Sequence, residues 1–392
     1  MRITYTPEQQ QLREELRSYF AELITPERRA ALTASGGEMG AGSVYRDVVA
    51  RMGADGWLTL GWPAEYGGQD RPMIDQLIFS DEAAVAGAPV PFLTINTVAP
   101  TIMAFGSAEQ KQFFLPRISA GELHFSIGYS EPSAGTDLAG LRTTAVRDGD
   151  EYVINGQKMW TSLIAYADYV WLAARTDPDA KKHKGITVFI VPTDTPGFSW
   201  TPVHTMSGVD TSATYYSDVR VPATAIVGQL NGGWGLMTNQ LNHERVALTS
   251  AASLQTSLRA VREWAQQTKG PDGSRVIDQE WVQINLARVH AKVEYLKLLN
   301  WEIVSSGDSL QKWNASACKV YGTELATEAY RLLMEVLGPV AYLRPDSPGA
   351  VLRGRIERMQ RAALVLTFGG GTNEVQRDII AMAALGQPPA KR

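Results

Sequence analysis

The fold is decided by two short stretches, Tyr129-Ser130-Glu131-Pro132-Ser133-Ala134-Gly135-Thr136-Asp137 and, further along, Asn155-Gly156-Gln157-Lys158-Met159-Trp160-Thr161-Ser162. The first is typical of a strand end that enters a turn of small residues, where backbone amides and hydroxyls can approach a planar ligand closely. The second places an indole and two hydroxyls after a strand, which we expect to enter an Asn155-Gly156 turn. Each stretch alone has a plainer interpretation: a surface loop for the first and a core tryptophan for the second.

Helical patterns flank both stretches. Apolar residues recur at helical spacing near the N-terminus, at Leu12, Leu16, Tyr19, Phe20 and Leu23. Short β-branched or aromatic runs, separated by glycines and prolines, fill the middle, and two long amphipathic stretches, Trp281 to Val304 and Ala315 to Leu337, follow. We therefore predict an α+β fold with an N-terminal helical domain (1–122), a middle β-domain that is a compact barrel or sandwich (123–229) and a C-terminal antiparallel helical bundle (230–392).

Composition excludes several classes of protein. The chain has 392 residues, of which 44% are hydrophobic and 20% charged, and its net charge is −4. Such a charge argues against nucleic acid as a partner. A single cysteine, Cys318, allows no internal disulfide and favours a cytoplasmic location. The most apolar stretch, Ala83 to Phe105, contains three prolines and is a poor membrane span. The five histidines lack the spacing of metal ligands, so we expect no metal site.

The two opening stretches together resemble the signature segments of the acyl-CoA dehydrogenase family, Thr-Glu-Pro-x-Ala-Gly-Ser-Asp and Asn-Gly-x-Lys-x-Trp-Ile-Thr. The resemblance implies that the middle domain is a β-barrel and the C-terminal domain a four-helix bundle. It also implies FAD as cofactor, with the flavin ring facing Ser130, Thr136, Trp160 and Ser162. It also places Tyr129 and Gly135 in the cofactor-binding loop. Both Ser130 and Ser162 replace a threonine of the family and keep its hydroxyl, and hydroxyls near the ring favour hydride acceptance.

A third stretch departs from the family pattern. Where members commonly read Tyr-Glu-Gly-Thr, this chain reads Gly369-Gly370-Gly371-Thr372, followed by Asn373-Glu374. The family glutamate removes the α-proton of the substrate, and Gly370 cannot do so. Either the chain is inactive or its base lies elsewhere. The resemblance implies that Thr372 and Glu374 bind the cofactor and that Gly370 lies beside the substrate. Glu374 is also a weaker candidate base, with a plainer reading as a first-turn acid.

A fourth stretch, Gln240 to Leu248, offers a stronger candidate base. On a helix, Met237, Leu241, Glu244 and Leu248 share one face, so Glu244 lies on an apolar stripe where an unpaired carboxylate has a raised pKa. A surface pair of Glu244 and Arg245 is the alternative. In the isovaleryl- and long-chain-type branches of the family the base stands at the position of Glu244, and a small residue replaces the usual glutamate. The resemblance therefore implies that Glu244 is the catalytic base and that Arg245 contacts the substrate, with a structural salt bridge as the rival role for Arg245.

Two further family segments bear on partners. Homotetrameric members hold the adenosine end of a neighbour's FAD with Arg-x-x-Phe-Gly and Gln-x-x-Gly-Gly. The matching stretches here are Gln266 to Gly270 and Glu335 to Pro339, which lack the arginine and the glutamine. We expect a second, acyl-CoA dehydrogenase-like subunit in an α2β2 complex, as in the actinobacterial enzymes of steroid side-chain β-oxidation that act on 3-oxocholest-4-en-26-oyl-CoA.

That resemblance implies an acyl-CoA substrate, FAD-dependent α,β-dehydrogenation to a trans-2-enoyl-CoA, and a flavoprotein as electron acceptor. Two alternatives remain open at the level of sequence. The first is a flavin monooxygenase or oxidase of the same fold. The second is a scaffold subunit without catalytic activity, which a partner carrying its own base would favour.

Overall fold

The computed structural model describes residues 4–34, 42–208, 211–247, 249–307, 311–345 and 347–388. For residues 33–34, 241–247 and 312 it describes the backbone only. No helix in these ranges is long and apolar enough to cross a membrane. The chain divides into two compact units, the first formed by residues 1–79, 86–205 and 209–244, and the second by residues 80–85, 206–208 and 245–392.

The N-terminal segment is helical, as predicted. Thr6 caps the first helix: its hydroxyl accepts from the Gln9 amide at 3.2 Å, and the Gln9 side chain accepts from the Thr6 amide at 3.0 Å. The apolar stripe at Leu12, Leu16 and Phe20 is buried. The helices are α1 (Pro7–Leu23), α2 (Pro26–Ala34), α3 (Ser43–Ala54), α4 (Met73–Ala86), α5 (Ala99–Phe105) and α6 (Ala108–Ser119), with a π-helical segment at Thr94–Val98.

The middle segment forms one eight-stranded sheet in the order β6-β7-β3-β2-β4-β5-β8, with β1 pairing parallel to β4. The strands are β1 (Phe125–Gly128), β2 (Thr144–Asp148), β3 (Glu151–Lys158), β4 (Tyr169–Arg175), β5 (Ile186–Pro192), β6 (Phe198–Val203), β7 (Thr211–Pro222) and β8 (Ile226–Val227). Strand β4 is buried on both faces. Trp171 and Ala173 pack into a core shared with helical residues, whereas Val170 and Leu172 pack into a second core on the opposite face.

The prediction of a turn at Asn155-Gly156 is wrong. Strand β3 continues through both residues to Lys158, and the turn of the β2–β3 hairpin is Gly149-Asp150. The register of β3 against β7 shifts between Ile154 and Gly156, which marks a bulge. A Cβ at residue 156 would lie 2.5 Å from the Thr143 hydroxyl oxygen, so the glycine serves a close approach of two backbones.

The C-terminal segment is helical to Leu385. Its helices are α7 (Gly233–Ala247), α8 (Ala252–Gln267), α9 (Glu280–Ser305), α10 (Lys312–Leu337), α11 (Arg355–Ala363) and α12 (Asn373–Leu385). Both long amphipathic stretches predicted from sequence form single helices, α9 and α10. Helix α10 is central, because it packs against α8, α9, α11 and α12. A core of aliphatic and aromatic side chains from α8, α9 and α10 holds this bundle together.

Candidate active site

A buried ion pair supports the first signature loop. The Lys158 ammonium lies 2.8 Å from a Glu131 carboxylate oxygen, and both side chains are almost fully buried. Glu131 also accepts from the backbone amides of Arg142 (2.7 Å) and Thr143 (2.8 Å). Lys158 further donates to the Tyr129 carbonyl at 3.1 Å. The strand that carries Lys158 is thereby tied to the loop that carries Glu131.

In this pair, burial and the charge of the partner act in opposite directions on the pKa of each group. Burial lowers the pKa of Lys158 to about 8, against the attraction of Glu131. Burial acts to raise the pKa of Glu131, but the Lys158 charge and the two backbone amides outweigh it and keep that pKa below its ordinary value. Both groups are therefore charged at neutral pH. Sequence reasoning assigned no role to this pair, although both residues stood in the quoted stretches, because nothing in the pattern shows that they meet.

The side chain of Tyr129 points into the core. Its hydroxyl donates to Gln240 and accepts from the Trp171 indole at 2.9 Å. The Ser130 carbonyl accepts from the Met159 amide at 2.8 Å, which joins the two signature stretches directly. Further along this loop, Gly135 and Thr136 are exposed. Apart from the chain neighbours of Gly135, no atom of the described residues lies within 4 Å of the point where a Cβ at Gly135 would stand.

Trp160 has an unusual backbone. Its φ is +66°, a left-handed conformation that is costly for a side chain of this size, and 57% of its surface is exposed. The neighbouring Thr161 is buried, with its amide bonded to the Ser212 carbonyl at 2.9 Å. The Ser162 hydroxyl lies 3.2 Å from that of Thr211. An exposed indole on a rigid base, close in sequence to two hydroxyls, fits a planar ring such as isoalloxazine.

The stretch that carries Gly370 lies in the second unit. Gly370 and Gly371 adopt positive φ values of +68° and +95°. Thr372 caps α12, because its hydroxyl accepts from the Val375 amide at 3.2 Å. Glu374 is exposed in the first turn of α12, the position expected of a first-turn acid. A glutamate at residue 370 would require a left-handed backbone, so the stretch is suited to glycine.

Glu244 and Arg245 lie in α7, as predicted, but their side chains are outside the described part of the structure. Of the predicted apolar face, Met237 is described and is buried. Gln240, one turn before Glu244, is also fully buried. Among the residues that the structure describes, no group of His, Cys, Asp and Glu could hold a metal ion.

His124 precedes β1 and gives the first unit a pH-dependent stability. The ring of His124 is buried against Tyr45. This burial and the nearby Arg46 charge lower the pKa of His124 from 6.5 to about 4, because together they outweigh the attraction of Asp168. The folded state therefore favours the neutral ring.

The neutral His124 ring makes stability depend on pH. As pH falls from about 6.5 to about 4, the unfolded chain binds a proton that the folded chain does not bind, and roughly 3 kcal/mol of stability is lost. We expect His124→Gln to flatten this part of the curve of unfolding free energy against pH. Equal slopes in both proteins would contradict the prediction.

Comparison with known proteins identifies relatives that match the whole length of the chain. Family models match the chain as acyl-CoA dehydrogenase N-terminal domain (residues 6–122), middle domain (126–219) and C-terminal domain (231–385). The chain is 72% identical to acyl-CoA dehydrogenase FadE26 of Mycobacterium tuberculosis (strain ATCC 25618 / H37Rv) over the whole of both chains. It resembles a chain of the ChsE4-ChsE5 complex from Mycobacterium tuberculosis with a TM-score of 0.93 and 72% identity, again over both whole chains. It resembles a chain of the Tcur3481-Tcur3483 steroid ACAD with a TM-score of 0.91 and 48% identity, covering 100% of each chain.

The chain belongs to the acyl-CoA dehydrogenase family. The sequence of helical, sheet and helical segments is the three-domain fold of that family, and the predicted fold class is confirmed. Members of the family are generally FAD-dependent. The predicted resemblance to subunits of heteromeric steroid acyl-CoA dehydrogenases is confirmed as well, since solved relatives are parts of two-component complexes.

Proposed function

We propose that this chain is the base-bearing subunit of a heterotetrameric, FAD-dependent acyl-CoA dehydrogenase that introduces an α,β double bond into a bulky, steroid side-chain acyl-CoA. The observation that carries the proposal is the paired exchange of residues: glycine in place of the usual base at 370, and a glutamate on α7 at 244. Each residue alone has a plain explanation: an inactive chain for Gly370, and a surface pair with Arg245 for Glu244. Together they match the family branches in which the base has moved to this helix.

The signature loop and the strained turn at Trp160 are the parts of this chain proposed to hold FAD. When bound, FAD supplies the acceptor for the hydride that leaves the β-carbon of the substrate. Ser130, Thr136, Trp160 and Ser162 would contact its ring. Since the Tyr129 side chain is bonded within the core, Tyr129 would contribute its backbone, as would Gly135. Contacts of Thr372 and Glu374 with the cofactor remain predictions.

Two groups of this chain are proposed to act on the substrate. The Glu244 carboxylate takes the α-proton, whose bonding electrons form the new double bond as the β-hydride departs. The α-carbon is a weak acid, so the thioester carbonyl needs hydrogen-bond donors as negative charge develops on it. The Gly370 amide is one such donor, and it persists when the side chain at this position is lost. Arg245 would contact the substrate.

The residues at the FAD adenosine segments favour a different partner chain. Where the family has a glutamine, this chain has Glu335, whose carboxylate pairs with Arg331 at 2.5 Å and accepts from Asn285 at 3.2 Å. A carboxylate disfavours a dinucleotide pyrophosphate by charge repulsion, and Arg331 is already engaged. Two copies of this chain would therefore hold each other's FAD poorly, and a second acyl-CoA dehydrogenase-like subunit would supply those contacts.

This proposal predicts the flavin content of the complex. The chain purified alone should carry little flavin. The α2β2 complex with its partner should carry fewer than one FAD per chain, because the partner completes the FAD site of this chain, whereas this chain lacks the adenosine-side residues to complete one for the partner. Protein concentration, flavin absorbance after denaturation and molar mass by light scattering measure the ratio. A homotetramer of this chain alone with four bound flavins would refute the partner requirement.

Two observations support a steroid substrate: the description of a relative, and the volume that is free because residue 370 is glycine. A related complex is described as a steroid acyl-CoA dehydrogenase, and a glycine at 370 removes the volume of a glutamate side chain beside the proposed substrate. The direct test is anaerobic bleaching of flavin absorbance by a panel of acyl-CoAs, from short straight chains to steroid side-chain thioesters. The proposal requires the largest kcat/KM for the steroid thioesters. Oxygen-dependent hydroxylation, or turnover of substrates without CoA, would point to a monooxygenase instead.

A further inference from the structure

We propose that Lys319 is a positioning residue, whose buried ammonium group fixes the glycine loop (Gly369–Gly371) and thereby aims the Gly370 amide at the substrate carbonyl. This inference rests on the proposed function, because it concerns the same carbonyl. Lys319 lies on α10, its side chain is fully buried, and its sequence surroundings give no hint of a role. Lysine is rarely buried to this extent without a specific partner.

Two partners of Lys319 lie in the glycine loop and immediately after it. Its ammonium donates to the Gly371 carbonyl and to the Asn373 side-chain oxygen, both at 2.8 Å. A hydrogen bond from an ammonium group to a carbonyl is charge-assisted and stronger than a neutral one. The lysine therefore holds the loop at the point where it enters α12.

The loop depends on such anchors because it has no side chains of its own. On its upstream side the Gly369 amide donates to the Val365 carbonyl at 2.8 Å. On its downstream side the Gly371 carbonyl is held by Lys319. Gly370 stands between these two anchored residues. Three successive glycines have greater backbone freedom than any other tripeptide, so loss of one anchor releases the peptide groups of Gly370.

The packing beside the loop disfavours a side chain at residue 371, so the loop cannot be anchored there by a side chain of its own. A Cβ at residue 371 would lie 2.7 Å from the side-chain nitrogen of Gln376, which is itself fully buried. The Gln376 side-chain oxygen accepts from the Ser316 hydroxyl at 2.9 Å, which restrains it. Residue 371 must therefore be glycine, and its position must be set through its backbone.

The chain offers a matched control. Thr323 lies one turn after Lys319 on α10 and is buried, and among the described residues its hydroxyl bonds to Asn373 and to the Lys319 and Val320 carbonyls rather than to the loop. Thr323→Val removes a hydroxyl from the same buried network and keeps its shape. A role of Lys319 in stability alone predicts similar behaviour for Thr323→Val and Lys319→Met.

The experiment uses the complex with its partner subunit. For Lys319→Met we expect normal flavin content and acyl-CoA affinity, a limiting rate of flavin bleaching lowered about 10²-fold, and faster amide hydrogen exchange in the peptide that covers 369–372. For Thr323→Val we expect a rate within about threefold of wild type. If Lys319→Met does not assemble, Lys319→Gln, which keeps a shorter donor, should show a loss of about tenfold.

Three outcomes would overturn the inference: a bleaching rate for Lys319→Met within threefold of wild type, an equal loss in Thr323→Val, or unchanged exchange at 369–372. A wild-type complex that no acyl-CoA bleaches would instead overturn the proposed function, and the inference with it. Because the exchange measurement needs no substrate, it separates these two failures.

Discussion

Replacement of Glu244 by glutamine should leave the complex folded and loaded with flavin, yet lower the rate of flavin bleaching by acyl-CoA by roughly 10²- to 10⁴-fold, the usual contribution of a positioned acid or base. Glutamine has the shape of glutamate but cannot accept the α-proton. Since Gly370 offers no side chain, no second group at the usual position can compensate. Anaerobic stopped-flow absorbance at saturating acyl-CoA measures the effect.

The matched control for this variant is Glu374→Gln. Glu374 is the other acid that the sequence offers near the glycine loop, and it is exposed in the first turn of α12. Because Glu374 is a predicted cofactor contact, its loss can lower the flavin content, but the bleaching rate per bound flavin should change by no more than about threefold. A wild-type rate in Glu244→Gln, together with a large loss in Glu374→Gln, would move the base to residue 374.

The second large effect concerns stability. Lys158→Met removes one partner of a fully buried ion pair and leaves the Glu131 carboxylate in the core without its countercharge. Breaking a buried pair in this way costs about 3–5 kcal/mol. The loop from Tyr129 to Thr136 loses its tie to β3, so flavin content should fall as well. Denaturant unfolding and flavin absorbance measure the two effects.

Two variants control for this interpretation. Adding Glu131→Gln to Lys158→Met removes the buried charge, and should restore part of the stability; recovery stays partial because one of the amides that Glu131 accepts from then faces an NH₂ group. Lys182→Met breaks a pair with Asp137 at the end of the same loop, at 2.6 Å, but both its side chains are more than 60% exposed. That change should cost no more than about 1 kcal/mol. Equal losses for Lys158→Met and Lys182→Met would show that burial does not decide the cost.

Most of the fold could be predicted from local sequence patterns. The Thr6 cap, the helical stripe from Leu12 to Leu23 and the two long helices α9 and α10 are encoded by residues that are neighbours in sequence, so they can be predicted from it. The error at Asn155-Gly156 has the same origin. The dipeptide is a strong turn signal locally, but pairing with β7 and the approach of Thr143 keep it within a strand.

By itself, the sequence determined the family, the order of helical and sheet segments, and the presence of Gly370 at the usual base position together with a glutamate at 244, because each depends on which residues occur in a motif. Only the tertiary structure decided what supports those motifs. Lys158 meets Glu131 across 27 residues, and Lys319 reaches the glycine loop across 52 residues. Such contacts depend on how strands and helices pack, and a buried lysine has the same letter in a sequence as a solvated one.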